Sequence, residues 1–156
     1  MPTRHVCEVP MRWADMDAFG HVNNVVYLRY LQEARVEMMF NRGRDAGVTS
    51  LEDGVVVARH ELDYRMQLQF RPRPVRVESW VSQLSAASFV IGYEIVEPAA
   101  GGHDEAGDRM VYSVASSLLV PYDLEWGRPR RVSDEEHALL EPYLDPDGPT
   151  PRGAQR

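Results

Sequence analysis

The sequence predicts an α+β domain in which one long helix covers one face of an antiparallel sheet. In one segment near the N-terminus, apolar residues recur every three or four positions, which is the period of an amphipathic helix. Every later long segment alternates with period two, which is typical of half-buried strands. Because these strands follow one another without a second long helix, we expect neighbouring strands to be antiparallel.

The elements follow in chain order. Alternation predicts a first strand over residues 5–13, and the helical period then begins at about residue 24 and ends near Gly43 or Gly47. The apolar face of this helix comprises Tyr27, Tyr30, Leu31, Ala34 and Met38. Four further strands are predicted over residues 55–66, 75–84, 88–95 and 110–120, with a hairpin loop over residues 98–108.

The chain of 156 residues corresponds to one domain, which we assign to residues 1–140. A short C-terminal helix is predicted over residues 133–140. Residues 141–156 are rich in proline and polar side chains, so we expect a flexible tail. Apart from this short C-terminal helix, the chain offers no cover for the sheet face opposite the long helix, which favours a homo-oligomer.

Composition disfavours several classes of function. No run of about 18 apolar residues and no secretory signal pattern is present, so we expect no membrane partner and a cytoplasmic protein. The net charge of −7 disfavours nucleic acid. Cys7 is the single cysteine, and the histidines have no metal-binding spacing, so neither a metal nor another cofactor is expected.

Polar side chains concentrate between the first strand and the long helix, at Asp15, Asp17, His21, Asn23 and Asn24. A helix N-terminus offers unpaired N–H groups and a favourable dipole to developing negative charge. The N–H groups over residues 20–22 could polarise a thioester carbonyl while a carboxylate reaches its carbon or an attacking water. This segment therefore predicts acyl-transfer chemistry.

A resemblance to a known family rests on the pattern Asp15-x-Asp17-x-x-Gly20-His21-x-Asn23-Asn24-x-x-Tyr27, followed by Leu28, Leu31 and Glu33-Ala34-Arg35. This pattern resembles the 4-hydroxybenzoyl-CoA thioesterase-like family of the hot-dog superfamily. The likeness continues through Leu62-Asp63-Tyr64, Ser88-Phe89 and Tyr93-Glu94-Ile95, over about residues 5–121. It implies a five-stranded antiparallel sheet wrapped around one long helix, and homodimers or dimers of dimers with active sites at the subunit interface.

The resemblance also implies roles for individual residues. Asp17 corresponds to the catalytic carboxylate, acting as nucleophile or as general base. Gly20, His21 and Val22 fall where the family places its oxyanion contacts, and Tyr27 would line the pocket. Asp15 is interpreted as structural. Asn24 and Ser88 are further substrate-binding candidates. The surface cations Arg59, Arg65, Arg71 and Arg73 are candidates for holding CoA on charge alone, because the family motif does not include them.

Hydrolysis of an acyl-CoA thioester is the leading hypothesis, and two others stay open. A non-catalytic acyl-binding scaffold would keep the fold without the reaction. An enoyl-CoA hydratase is disfavoured because its aspartate and histidine lie five positions apart, whereas His21 follows Asp17 by four and Asp15 by six. Plant acyl-carrier-protein thioesterases carry asparagine where this chain has Phe19, so their catalytic set is not transferred. No site is placed at residues 65–68, and acyl specificity, the thiol carrier and dimer versus tetramer stay open.

Overall fold

The computed structural model describes residues 2–97 and 109–155, so the hairpin loop expected over residues 98–108 lies outside the described residues. Five antiparallel strands form one sheet in the order β1-β3-β4-β5-β2, and a two-residue strand, β6, pairs with the end of β5. The strands are β1 His5–Val9, β2 Val55–Tyr64, β3 Val75–Leu84, β4 Phe89–Glu97, β5 Met110–Asp123 and β6 Arg128–Pro129.

The long helix, α1, spans Asn24–Val36 and continues through a π-helical turn, Glu37–Asn41, into α2, Arg42–Asp45. Gly47 follows with a φ of +75°, a left-handed conformation that suits glycine just beyond a helix end. The remaining helices are α3 Ser50–Asp53 and α4 Asp134–Leu140, with 3₁₀ turns at Trp13–Asp15, Glu141–Tyr143 and Arg152–Gln155. Among the described residues, no helix is both long and apolar enough to span a bilayer.

One core lies between α1 and the inner face of the sheet. The helix side of this core is the predicted apolar stripe, Tyr27, Tyr30, Leu31, Ala34 and Met38, and all five side chains are buried. The sheet side includes Val77, Val81, Ile91, Tyr93 and Ile95, which are also buried. The prediction of one long helix packed on a five-stranded antiparallel sheet is therefore confirmed.

Two strands end earlier than predicted because local hydrogen bonds replace the pairing between strands. The first strand ends at Val9 rather than near residue 13, and the Asp15 carboxylate accepts the Arg12 N–H at 2.8 Å to form a 3₁₀ turn. The second ends at Tyr64 rather than Met66, since the N–H groups of Arg65 and Met66 both donate to the Tyr112 carbonyl.

The C-terminal segment crosses the outer face of the sheet. Asp145 N–H donates to the Val81 carbonyl at 2.8 Å, Gly148 lies against the fully buried Trp80 indole, and Arg152 N–H donates to the Asp63 carboxylate at 2.8 Å. This corrects the expectation that the chain leaves that face uncovered. The mobility of residues 141–156 stays a prediction, because contacts do not measure motion.

Candidate active site

Asp15 anchors the loop that leads into α1. Its carboxylate is 1 % exposed and accepts hydrogen bonds from the Tyr30 hydroxyl at 2.7 Å and from Arg29 Nη2 at 2.8 Å, in addition to the Arg12 N–H. The Asn23 N–H in turn donates to the Asp15 carbonyl at 2.9 Å. These contacts satisfy the buried carboxylate and agree with its interpretation as a structural residue.

Asp17 lies half-buried in a tight loop that closes on itself. Its Oδ1 accepts the Phe19 N–H at 2.9 Å, its own N–H donates to the His21 carbonyl at 3.0 Å, and its carbonyl accepts the Gly20 N–H at 3.1 Å. Gly20 has a φ of +80°, which favours glycine at this position. Within residues 2–97 and 109–155, Asp17 Oδ2 has no hydrogen-bond partner, so one oxygen fixes the loop and the other is available.

The N-terminus of α1 presents one free N–H beside this carboxylate. The side chain of Asn23, the N-cap residue, accepts the Val25 N–H at 3.0 Å, and its carbonyl accepts the Val26 N–H at 2.9 Å. The N–H of Asn24 has no acceptor in the described part of the chain. This first helical N–H, together with the helix dipole, can stabilise developing negative charge.

Tyr27 ties the first turn of α1 to the far rim of the site. Its hydroxyl accepts the Leu68 N–H at 3.1 Å and lies 3.4 Å from the Met66 carbonyl, while burial raises its pKa. The Tyr64 hydroxyl donates to the Asn24 carbonyl at 2.8 Å, and the two tyrosine rings pack edge to face at 5.0 Å. The resulting open cavity has a volume of about 440 Å³ and is lined by Asp17, His21, Asn24, Tyr27, Tyr64 and Arg65, among others.

Two of the expected oxyanion donors are occupied by the fold. The Gly20 N–H is used inside the Asp17 loop, and the Val22 N–H donates to the Leu68 carbonyl at 2.7 Å. Neither group is free to polarise a substrate in this structure, which differs from the expectation for these residues. The donor that remains at the helix start is Asn24 N–H, and the His21 N–H also lacks an acceptor among the described residues.

Two expected substrate-binding residues lie away from the cavity in the same chain. Arg59 pairs with Glu61 and lines a separate cavity with residues of the C-terminal segment. Ser88 adjoins Phe89, which pairs with Leu119, whereas Tyr64 at the cavity pairs with Ser113. These positions lie six residues apart on β5, or about 20 Å along the strand.

The sequence analysis named Arg65 as a candidate cation but placed no site at residues 65–68, whereas residues 65–67 form one wall of the cavity. The available signal was Tyr64 in the Leu62-Asp63-Tyr64 likeness, since the residues that follow it form this wall. Among residues 2–97 and 109–155, no group of three or more His, Cys, Asp or Glu side chains is arranged to hold a metal ion.

A family model described as the thioesterase-like superfamily matches residues 11–140. The chain belongs to the thioesterase-like superfamily. No curated protein sequence matches this superfamily member significantly. Its structure matches a predicted thioesterase from Bacillus stearothermophilus with a TM-score of 0.76 and 21 % identity, over 94 % of this chain and all of the other.

Two further solved structures are similar to this superfamily member. A candidate acyl-CoA thioesterase from Xanthomonas campestris is 32 % identical, with a TM-score of 0.59 over 76 % of this chain and 92 % of the other. A 4-hydroxybenzoyl-CoA thioesterase variant complexed with 4-hydroxybenzoyl-CoA is 16 % identical, with a TM-score of 0.71 over 88 % of this chain and 98 % of the other. The hot-dog fold is confirmed, and the family supports thioester hydrolysis as the general reaction.

Proposed function

We propose that the chain hydrolyses an acyl-CoA thioester to the free acid and CoA, with Asp17 as the catalytic carboxylate. The observation that carries the proposal is the cavity shared by Asp17 and the start of α1. One carboxylate oxygen is held by the Phe19 N–H, which orients the other, and the free Asn24 N–H lies at the same cavity. A base or nucleophile and an electrophilic N–H are the two groups that acyl transfer requires.

The reaction can proceed in two ways, and the chemistry balances in both. As a general base, Asp17 takes a proton from water, whose oxygen attacks the acyl carbon while the C–S bond breaks and the thiolate is protonated. As a nucleophile, Asp17 attacks the acyl carbon directly, the thiolate leaves, and water hydrolyses the resulting anhydride. In both, the Asn24 N–H stabilises the carbonyl oxygen as it gains negative charge.

Single-turnover hydrolysis in ¹⁸O-labelled water can establish the nucleophilic route. Attack of water on the aspartyl carbonyl of an anhydride places ¹⁸O in Asp17, whereas attack of water on the acyl carbon, in either route, places it in the acid product. Mass spectrometry of the peptide that contains Asp17 reads the outcome.

Asp17→Asn tests the role of the carboxylate. It removes the base or nucleophile without removing an ion pair, since Asp17 has none among the described residues, so the variant should fold. We expect the rate of thiol release from the best acyl-CoA to fall by about 100-fold or more. Asp45→Asn, at an exposed position on α2, serves as the control. Wild-type turnover by Asp17→Asn would exclude the proposed role, and tight acyl-CoA binding by the wild type without turnover would favour the scaffold hypothesis.

Arg65 is the cation best placed for the phosphates of CoA. It is exposed, lines the cavity, and has no carboxylate partner among the described residues, whereas Arg71 and Arg73 both pair with Glu97. Arg65→Gln should raise KM for acyl-CoA but not for the same acyl group on N-acetylcysteamine, which lacks phosphates. Arg73→Gln is the matched control, and equal effects on both thioesters would exclude this contact.

The protein is proposed to act in the cytoplasm as a homodimer or a dimer of dimers. Support for association comes from large exposed apolar side chains, Phe19 at 86 % and Met66 at 44 %, which line the cavity, and Val25 at 65 % in the first turn of α1. Size-exclusion chromatography with light scattering measures the assembly, and a monomer at the assay concentration would contradict it.

A further inference from the structure

The turn that joins β5 to β6 presents two large apolar side chains to solvent. Leu124 is 66 % exposed and Trp126 is 69 % exposed. The turn is nonetheless well fixed, because the Trp126 N–H donates to Asp123 Oδ1 at 3.0 Å and the Arg128 guanidinium lies 5.7 Å from the Trp126 ring centroid. Two large apolar side chains exposed in one hydrogen-bonded turn make this turn a candidate interaction surface.

This turn cannot reach the Asp17 cavity of its own chain. It lies at the start of β2, where Leu124 packs beside Gly54 and the Tyr122 N–H donates to the Gly54 carbonyl. The cavity lies at the other end of β2, beside Tyr64. A strand of 10 residues separates them, or about 30 Å.

β2 also offers a site for a second copy of this chain. It pairs only with β5 within the described residues, which leaves an edge of 10 residues open. Antiparallel pairing of two copies about a two-fold axis at His60 would set Arg59 opposite the partner's Glu61, and Glu61 opposite the partner's Arg59. An axis at Glu61 would set Arg59 opposite the partner's Asp63 but would oppose two glutamates. Axes at Arg59 and at Leu62 would each oppose arginines, so charge favours the axis at His60.

In such a pair the partner's β2 runs in the opposite direction, so its start lies beside the Tyr64 end of β2. The partner's turn is therefore brought to the cavity. The partner's β5 would lie two strand spacings from β2, or about 10 Å, with its turn at the Tyr64 end. We propose that the partner's Leu124 and Trp126 form the outer wall of each acyl site and select for apolar acyl groups. This rests on the proposed function, and it assigns a specificity role to a turn on the opposite subunit.

Mixed dimers test the proposal. Trp126→Glu places a charge in the proposed apolar wall, and Asp17→Asn removes the carboxylate, so each homodimer should be inactive. A heterodimer of Asp17→Asn with Trp126→Glu would contain one intact site, built from Asp17 of one chain and Trp126 of the other. Heterodimers isolated through two different tags should recover about half of the wild-type activity, because one of two sites is restored.

The reciprocal heterodimer is the control. Wild type paired with the double variant Asp17→Asn/Trp126→Glu should be inactive, because each of its sites has one defect. If Asp17 and Trp126 of the same chain form each site, the wild type paired with the double variant is active and the heterodimer of the two single variants is inactive. That result overturns the proposal. Glu125→Ala, in the same turn, should keep wild-type activity.

A cross-link separates this inference from the proposed reaction. In a Cys7→Ser background, a Phe19→Cys chain and a Trp126→Cys chain are mixed, allowed to exchange subunits, and treated with a short bismaleimide. We expect a covalent dimer from this pair, and none when Val6→Cys on β1 replaces Phe19→Cys. No covalent dimer from the first pair overturns the inference. If the cysteine pair cross-links but the wild type hydrolyses no thioester, the placement of the partner's turn at the cavity stands and the proposed reaction is rejected.

Discussion

Replacing Glu136 with glutamine should destabilise the fold by about 3 kcal/mol at neutral pH. The Glu136 side chain is fully buried at the start of α4, and it accepts hydrogen bonds from Arg130 Nη1 and Nη2 at 2.7 Å each, from Ser50 Oγ at 2.8 Å and from the Ser133 N–H at 2.8 Å. Glutamine keeps the shape but loses the charge and half of the acceptor capacity.

The magnitude follows from the pKa of this carboxyl. Burial opposes its ionisation, but the hydrogen bonds and charge of Arg130, with the Ser133 and Ser50 contacts, hold the pKa at about 2 instead of 4.5. Because about 1.4 kcal/mol corresponds to one pKa unit, the ionised form contributes about 3 kcal/mol at pH 7. The folded pKa is depressed, so this contribution is complete above about pH 4.5 and disappears as the pH falls toward 2.

Urea unfolding of wild type, Glu136→Gln and Glu135→Gln at pH 7 and pH 3 measures this effect. At pH 3 the expected loss of stability for Glu136→Gln shrinks to about 1.4 kcal/mol, because at this pH the wild type has already lost most of the stabilisation that comes from ionised Glu136. Glu135 is the exposed neighbour in the same helical turn, and its variant should stay within about 0.5 kcal/mol of wild type at both values. A Glu136→Gln protein as stable as wild type at pH 7, or a loss that does not depend on pH, would refute the reasoning.

Three further outcomes are expected. Burial and the nearby Glu37 raise the pKa of Cys7 to about 11 from 9.0, so at pH 8 iodoacetamide should alkylate it about 100-fold more slowly than the urea-unfolded chain; equal rates would contradict this. Tyr27→Phe leaves the buried Leu68 N–H without its acceptor and should lower the free energy of unfolding by about 1–3 kcal/mol. An unchanged midpoint in urea titration would disprove this. A Cβ at Gly148 would overlap the Trp80 indole, so Gly148→Val should increase hydrogen exchange at Asp145 and Arg152. Gly153→Val should not, because its Cβ would lie at an ordinary contact distance, 3.8 Å, from Glu61 Oε2.

The long helix and the strands were predictable because their apolar periods differ and both are carried by local sequence. Tyr27, Tyr30 and Met38 share one face of any helix, and that face became the core. The role of Ser133 as the N-cap of the last helix has the same local origin, since Glu136 three residues later completes a capping box. The end of the first strand was not predictable from alternation, because the Asp15 carboxylate captures the Arg12 N–H.

The far wall of the site was not predictable because it depends on contacts distant in sequence. Tyr27 holds Leu68, 41 positions later, and thereby places residues 65–67 at the cavity. No local pattern encodes that pairing. The path of the C-terminal segment depends likewise on Gly148 meeting Trp80, and its composition of proline and polar residues indicated only a tail.

Chemistry at the helix start is best inferred from the polar groups that folding leaves unused. Asp15 and Asp17 are equivalent in the sequence, two positions apart in one motif, but the first is saturated by donors from α1 and its own loop. Only one carboxylate oxygen of Asp17 accepts a hydrogen bond from its loop. Among the N–H groups that follow, those of Gly20 and Val22 donate to carbonyl groups of the same chain. The unmatched oxygen of the half-buried Asp17 and the N–H of the exposed Asn24 lie at one cavity, and the proposal that a ligand pairs with both rests on this arrangement. A polarised acyl group under attack has the two complementary features, an electrophilic carbon for the oxygen and a developing oxyanion for the N–H.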